Sequence, residues 1–146
     1  MPTAFQKELF TLACRQADLC GLVAIALEDA TRSVLESDHT LGGHGREQVA
    51  AAAALGAACE DQACALPALH APREAEVKAV VAAVHTAADL TRMGGLAREV
   101  ADAPGRVPPD VRPALARPAA HAVAAVRAAA AVRIGRWTAG FVPVGG

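Results

Sequence analysis

The stretch HAPREAEVKAVVAAVHTAADLTRMGGLAREVADA, residues 70–103, decides the fold. Its spacing predicts one helix from near Arg73 to about Asp102. Glu74 and Glu76 stand in the first turn, where carboxylates meet the positive end of the helix dipole. Leu90, Met93, Leu96 and Val100 recur at intervals of three and four and so share one side. Thr91, Gly95, Glu99 and Asp102 form a polar stripe on the other. Gly94 and Gly95 interrupt a strong helix former, and each costs about 1 kcal/mol against alanine. Close approach of a neighbouring helix or a second protomer accounts for Gly94. Gly95 has no equally good account.

Working outward, residues before this stretch read as two more helices. Phe5, Leu9, Leu12, Leu19, Val23, Ala26, Ala30 and Val34 keep the helical period from about Ala4 to about Asp38. LGGHG, residues 41–45, reads as a turn, because three glycines in five residues are costly in a helix. It is no phosphate-binding loop, since it lacks the preceding strand and the following Lys-Ser/Thr. His39 and His44 beside it read as solvated loop residues. A second helix is expected from about Arg46 to about Leu66, closed by Pro67 and Pro72.

PGRVPPDVRP, residues 104–113, ends the third helix, and a fourth helical stretch spans about Ala114 to Arg133. RIGRWTAGFVPVGG reads as an irregular ending, with Trp137 and Phe141 either docked on an apolar surface or exposed. No strand alternation occurs anywhere. The expected fold is all-α: an antiparallel three-helix bundle over residues 1–103, then a Pro/Arg-rich linker, a shorter helix and an irregular tail over 104–146.

The composition fits helices and limits the core. Of 146 residues, 53% are apolar but only 3% aromatic, so burial must come from close packing of Val, Leu and Ala. The net charge of −1 is unevenly spread. Residues 1–103 hold eight Lys/Arg against fourteen Asp/Glu, whereas 104–146 hold six Arg and the single Asp110. Lys7 and Glu8 stand where the apolar core of a secretory signal would begin, and no stretch reads as a membrane span. A cytoplasmic protein without membrane insertion is expected. Cys14, Cys20, Cys59 and Cys64 lack the CxxC spacing of zinc or redox sites and read as small hydrophobes.

Nothing in the sequence supports catalysis. There is no Tyr, no nucleophile elbow and no nucleotide loop in its proper context, and His70, His85 and His121 are isolated. Arg106, Arg112, Arg117, Arg127, Arg133 and Arg136 raise a nucleic-acid reading, but they are dispersed among prolines and alanines where a reader module shows a compact patch. A basic tail docked on the acidic body is favoured over it, and opposite charges on body and tail also promote association between copies.

Several motifs in order resemble the PhoU family, the phosphate-transport accessory regulators, over about residues 4–103. Pro72 opens the third helix. The trio Glu76, Val77 and Lys78 follows, then the run Asp89, Leu90, Arg92, Met93, Gly94 and the pair Leu96-Ala97. FQKELFTLACRQADLCGLVAIALEDATRSVLESD, residues 5–38, is similar to the family's first helix, with its late ALEDA and terminal Asp38. The resemblance implies two three-helix repeats in a typical member. This chain shows one, plus what looks like the opening of a second, so self-association through the surface that normally meets the sister repeat is expected.

The resemblance also implies an acid-x-x-x-acid metal motif on the third helix and further acids on the second. The matching positions here are Thr91 and Gly95, and Gln48 and Ala53, none of them acidic, so no metal and no cofactor is expected. Glu99 and Asp102, three apart, read either as a weak cation pair or as a solvated face beside Arg92 and Arg98. The candidate binding residues are Asp89, Arg92, Gly94, Glu99 and Asp102. The resemblance implies a homodimeric regulator of phosphate uptake and phosphate-responsive signalling that binds the ATPase of the phosphate ABC transporter and a sensor histidine kinase. The competing readings are a helical scaffold detached from phosphate control and weak nucleic-acid binding through the tail.

Overall fold

The computed structural model describes the backbone of residues 3–37, 39–66, 74–102 and 107–141, and the side chains of these except 39–44 and 133–141. It holds four helices: α1 (Ala4–Glu36), α2 (His39–Ala65), α3 (Glu74–Ala101) and α4 (Arg112–Phe141). No strand occurs among the described residues. Asp38, His70, Pro67, Pro72, Arg106 and the closing glycines lie outside the described residues, as do the side chains of His39, His44, Trp137 and Phe141.

A reciprocal cap starts α1. The Gln6 amide donates to Thr3 Oγ1 at 3.2 Å and the Thr3 amide donates to Gln6 Oε1 at 3.0 Å, satisfying two otherwise orphaned N–H groups. The helix ends at Ser37, whose left-handed φ of 51° lets its amide donate back to the Ser33 carbonyl. α1 therefore ends at Glu36 and α2 begins at His39, ahead of LGGHG. The expected turn at 41–45 is corrected: those residues form the opening turns of α2. Packing outweighs the glycine cost here, because Gly45 is buried against α1, where a Cβ would lie 3.4 Å from the Asp29 Cβ.

α1 is the central helix. Phe5, Leu12, Leu19 and Val23 are fully buried, and no residue from 19 to 31 is exposed. α2 runs antiparallel to it, since Gln62 near its end meets Arg15 and Glu8 near the start of α1. α3 runs parallel to α1: the buried Gln16 donates from Nε2 to the Ala83 carbonyl at 2.6 Å, and Ala30 clusters with Ala97 and Ala101. Alanine at these contacts lets the rods approach closely, as the aromatic-poor composition requires.

α4 returns along α1. Arg112 donates to the Val107 carbonyl at 3.1 Å and to Ser37 Oγ, and Arg127 Nη2 lies 2.8 Å from Glu28 Oε1. The Arg127–Glu28 pair ties the basic segment to an acid of the body. Val123 and Val126 join the core beside Leu19, Cys20 and Val23. α4 is longer at both ends than its sequence reading of about Ala114–Arg133, and helix continues through Gly135 and Gly140 to Phe141. Isolated glycines cost about 1 kcal/mol each, too little to stop a helix already propagated through the alanines at 128–131. Among the described residues, the broad interface of α4 is with α1.

By length and composition α1 suffices to cross a bilayer, contrary to the sequence reading, but 50% of its most apolar window is buried against the other helices. Its apolarity reflects its place at the centre of the bundle. Of the cysteines, Cys20 and Cys59 are buried as expected, Cys14 is half-buried and Cys64 is exposed; all four are free thiols.

Candidate functional site

α3 meets α2 along a seam built from three levels, to which the polar stripe contributes Thr91 and Asp102 but not the exposed Gly95 and Glu99. At the first, Thr91 sits against Gly56: a Cβ on Gly56 would lie 2.1 Å from Thr91 Oγ1, so only glycine fits while Thr91 holds this rotamer. Thr91 Oγ1 donates to the Ala87 carbonyl at 2.8 Å, which fixes that rotamer. At the second, Gly94 is buried opposite Ala52, 3.8 Å from where its Cβ would be. At the third, Arg46 closes the seam onto Asp102, with Nη2 at 2.5 Å and Nε at 3.2 Å from Oδ1.

Gly94 thus contacts α2 of the same chain, but at an ordinary van der Waals distance that would also admit a Cβ; the approach that requires glycine is at Gly56. Gly95 is exposed with nothing within 4 Å, so it makes no such contact. Gln48 is half-buried and Ala53 exposed along the same part of α2. Where carboxylates would have to converge, the seam holds a hydroxyl, small residues and a guanidinium. Among the described residues, no three His, Cys, Asp or Glu side chains come together.

The five candidate residues do not form one site. Gly94 lies inside the α2/α3 packing, and Asp102 is engaged by Arg46. Asp89, Arg92 and Glu99 are exposed on the outer face of α3. Glu99 and Asp102 therefore face different surroundings, and a cation between them would compete with a guanidinium already in place. Sequence reasoning missed Arg46 and Gly56. A lone glycine inside AAAAALGAAC, residues 50–59, was the available sign of a close approach.

The apolar side of α3 divides. Leu90 is buried and Met93 partly so, whereas Leu96 and Val100 are 53% and 41% exposed. α4 does not close over them. A cavity of about 250 Å³ remains there, lined by Leu27, Ala30 and Val34 of α1, Val100 of α3, and Leu115 and Pro118 of α4. A second, of about 490 Å³, lies on the α1/α4 flank, where Glu28, Arg32 and Arg127 rim a floor of alanines. Both are shallow, with mainly apolar walls, and suit the seating of a side chain or helix better than chemistry on a small substrate.

No family model and no solved structure matches the chain. Curated proteins do. The chain is 39% identical over 101 residues to the phosphate-specific transport system accessory protein PhoU homolog 2 of Mycobacterium tuberculosis, which covers 69% of this chain and 47% of that protein. It is 37% identical over 101 residues to PhoU homolog 1 of Mycobacterium leprae, covering 69% and 46%. The chain is a divergent member of the PhoU family. It spans about half the length of the curated relatives it matches. As a PhoU-family bundle it is all-α, with the α2/α3 seam and the outer face of α3 as its described polar features.

Proposed function

We infer that this PhoU-like chain is an accessory regulator of phosphate uptake and phosphate-responsive signalling, acting by docking and without catalysis. The identity to accessory proteins of a phosphate-specific transport system carries the reading. The outer face of α3 supports it, because Asp89, Arg92 and Glu99 stand exposed beside Leu96 and Val100. Mixed charge around exposed apolar side chains is the make-up of a protein-binding patch. In this reading the patch contacts the ATPase of the phosphate transporter and the associated sensor histidine kinase from the cytoplasmic side. Arg46 and Thr91 close the seam, so docking proceeds without a metal.

The test is co-purification of the full chain with the transporter ATPase, in the presence of EDTA, together with a phosphate-responsive reporter in a strain lacking the gene. The expected result is a metal-independent complex weakened at least tenfold by Arg92→Glu, and a reporter that no longer responds to phosphate. A reporter with a normal response, or binding that requires divalent metal, would refute the reading and favour the detached scaffold.

A further inference from the structure

The cavity of about 490 Å³ beside α4 belongs neither to the α2/α3 seam nor to the outer face of α3. α4 lines it with Ala116, Ala120, Ala124 and Arg127, and α1 with Glu28 and Arg32. On α4 these positions stand opposite Leu115 and Pro118, which line the smaller cavity shared with α3. The larger cavity is therefore a groove along α1 and α4 that opens away from α3.

Its shape suits a helix. Ala116, Ala120 and Ala124 are spaced four apart and form one row along α4. Their methyl groups make that row low, and as far as Arg127 it runs for about three turns, or about 16 Å. A second helix can lay a ridge of larger side chains into such a row. A small molecule finds less there. Sites for small molecules converge polar groups deep in the wall, whereas here the depth is methyl groups. The Arg32, Arg127 and Glu28 side chains stand on the rim, 57%, 55% and 41% exposed. The hydroxyl in the lining, Thr31 Oγ1, donates to the Leu27 carbonyl of its own helix at 2.7 Å.

Charge selects the sign of the occupant. From Arg112 to Phe141 the sequence holds five arginines and no acid. Arg127 bounds the alanine row, Arg117 is exposed beside it, and Arg32 rims the groove from α1. Glu28 is the acid among the lining residues, 2.8 Å from Arg127 Nη2, and Arg32 Nε lies 3.7 Å from Glu36. Exposed pairs of this kind contribute little, so both guanidiniums can turn to carboxylates of an occupant. The rim thus favours a negative edge. A nucleic-acid backbone matches that sign but gains nothing from a floor of methyl groups, whereas an amphipathic helix uses both.

We propose that the α1/α4 groove receives an amphipathic helix of a partner protein, apolar on the face laid against the alanine row and acidic along its edges. Leucine-sized side chains one turn apart settle between the alanines, and carboxylates pair with Arg32 and Arg127. The groove is a second binding surface, separate from the docking on the outer face of α3, and a peptide tests it without the transporter.

The probe is a fluorescein-labelled synthetic helix of about 20 residues, with leucine along one face and glutamate on both edges. A lysine-edged peptide with the same leucine pattern is its counterpart. Fluorescence anisotropy with the full chain should show the glutamate peptide bound at least tenfold more tightly than the lysine peptide, and more weakly as salt rises. Ala120→Glu, at an exposed position, should weaken that binding at least tenfold, with helix content by circular dichroism unchanged. Arg127→Gln should weaken it several-fold and Arg127→Lys should restore part of the loss. Arg92→Glu, which weakens the docking proposed above, should leave the peptide affinity unchanged. No binding of the glutamate peptide, or equal binding of the two peptides, overturns the proposal. So does binding that survives Ala120→Glu or falls with Arg92→Glu. Displacement of the peptide by an equal concentration of duplex DNA also overturns it, by assigning the basic edge to phosphates.

Discussion

Gly56→Ala tests the α2/α3 seam directly. In an exposed helix this change stabilises by about 1 kcal/mol, because alanine is the better helix former. Here the new Cβ would lie 2.1 Å from Thr91 Oγ1. To clear it, Thr91 must rotate about χ1 and give up the 2.8 Å bond to the Ala87 carbonyl, a loss of about 1 kcal/mol. Even then the new methyl stays 3.4 Å from Thr91 Cβ, so the seam must also spread, at a further cost of about 1 kcal/mol. The balance is destabilisation by about 1 kcal/mol, or a melting temperature lower by roughly 2–4 °C. In a Thr91→Ala background the obstructing oxygen and its hydrogen bond are gone but the Cβ at 3.4 Å remains, so Gly56→Ala becomes about neutral. The coupling between the two sites is therefore about 1 kcal/mol, above the scatter of independent sites. Urea unfolding followed at 222 nm reads all four proteins. Gly95→Ala is the control, because nothing lies within 4 Å of that position, and it should stabilise by about 1 kcal/mol in either background. A coupling below ~0.5 kcal/mol, or Gly56→Ala as stabilising as Gly95→Ala, would refute the close approach of α2 to α3.

Three further outcomes follow from buried groups and the clamp. Ser33 Oγ is buried without a hydrogen-bond partner among the described residues, so Ser33→Ala should raise stability by up to ~1 kcal/mol, read from the urea midpoint. Burial pushes the Cys59 thiol above its ordinary value of 9.0, with nearby Arg15 opposing and Asp18 adding to the shift. The neutral thiol is thus favoured in the fold, so its contribution is complete below about pH 9 and is lost as pH rises through the folded value. Between pH 8 and 10.5 the wild-type midpoint should fall more steeply than that of Cys59→Ala, and at pH 8 a thiol reagent should modify Cys64 far faster than Cys59. Arg46 and Asp102 are both about half exposed, so Arg46→Ala should cost no more than ~1 kcal/mol, and the loss should shrink in 1 M salt.

Helix existence and number were set locally. The period of Phe5, Leu9, Leu12 and Leu19, the Thr3 cap, the acids opening α3 and the prolines around residues 104–113 act over one or two turns, and each is legible in the chain itself. The motifs from Glu76 to Ala97 likewise carried family membership without coordinates. Tertiary structure decided the questions whose local energies were nearly balanced. A glycine costs a helix about 1 kcal/mol, and burial of Gly45 against Asp29 outweighs that, so LGGHG is helix where its composition reads as turn. Period alone puts Leu90, Met93, Leu96 and Val100 on one side of α3; only the placement of α4 over α1 leaves the last two open. The same holds for the candidate residues. Their chemistry was visible in sequence, but Arg46, 56 residues from Asp102, reaches it only once α2 folds back along α3, and no local pattern encodes a contact across that separation.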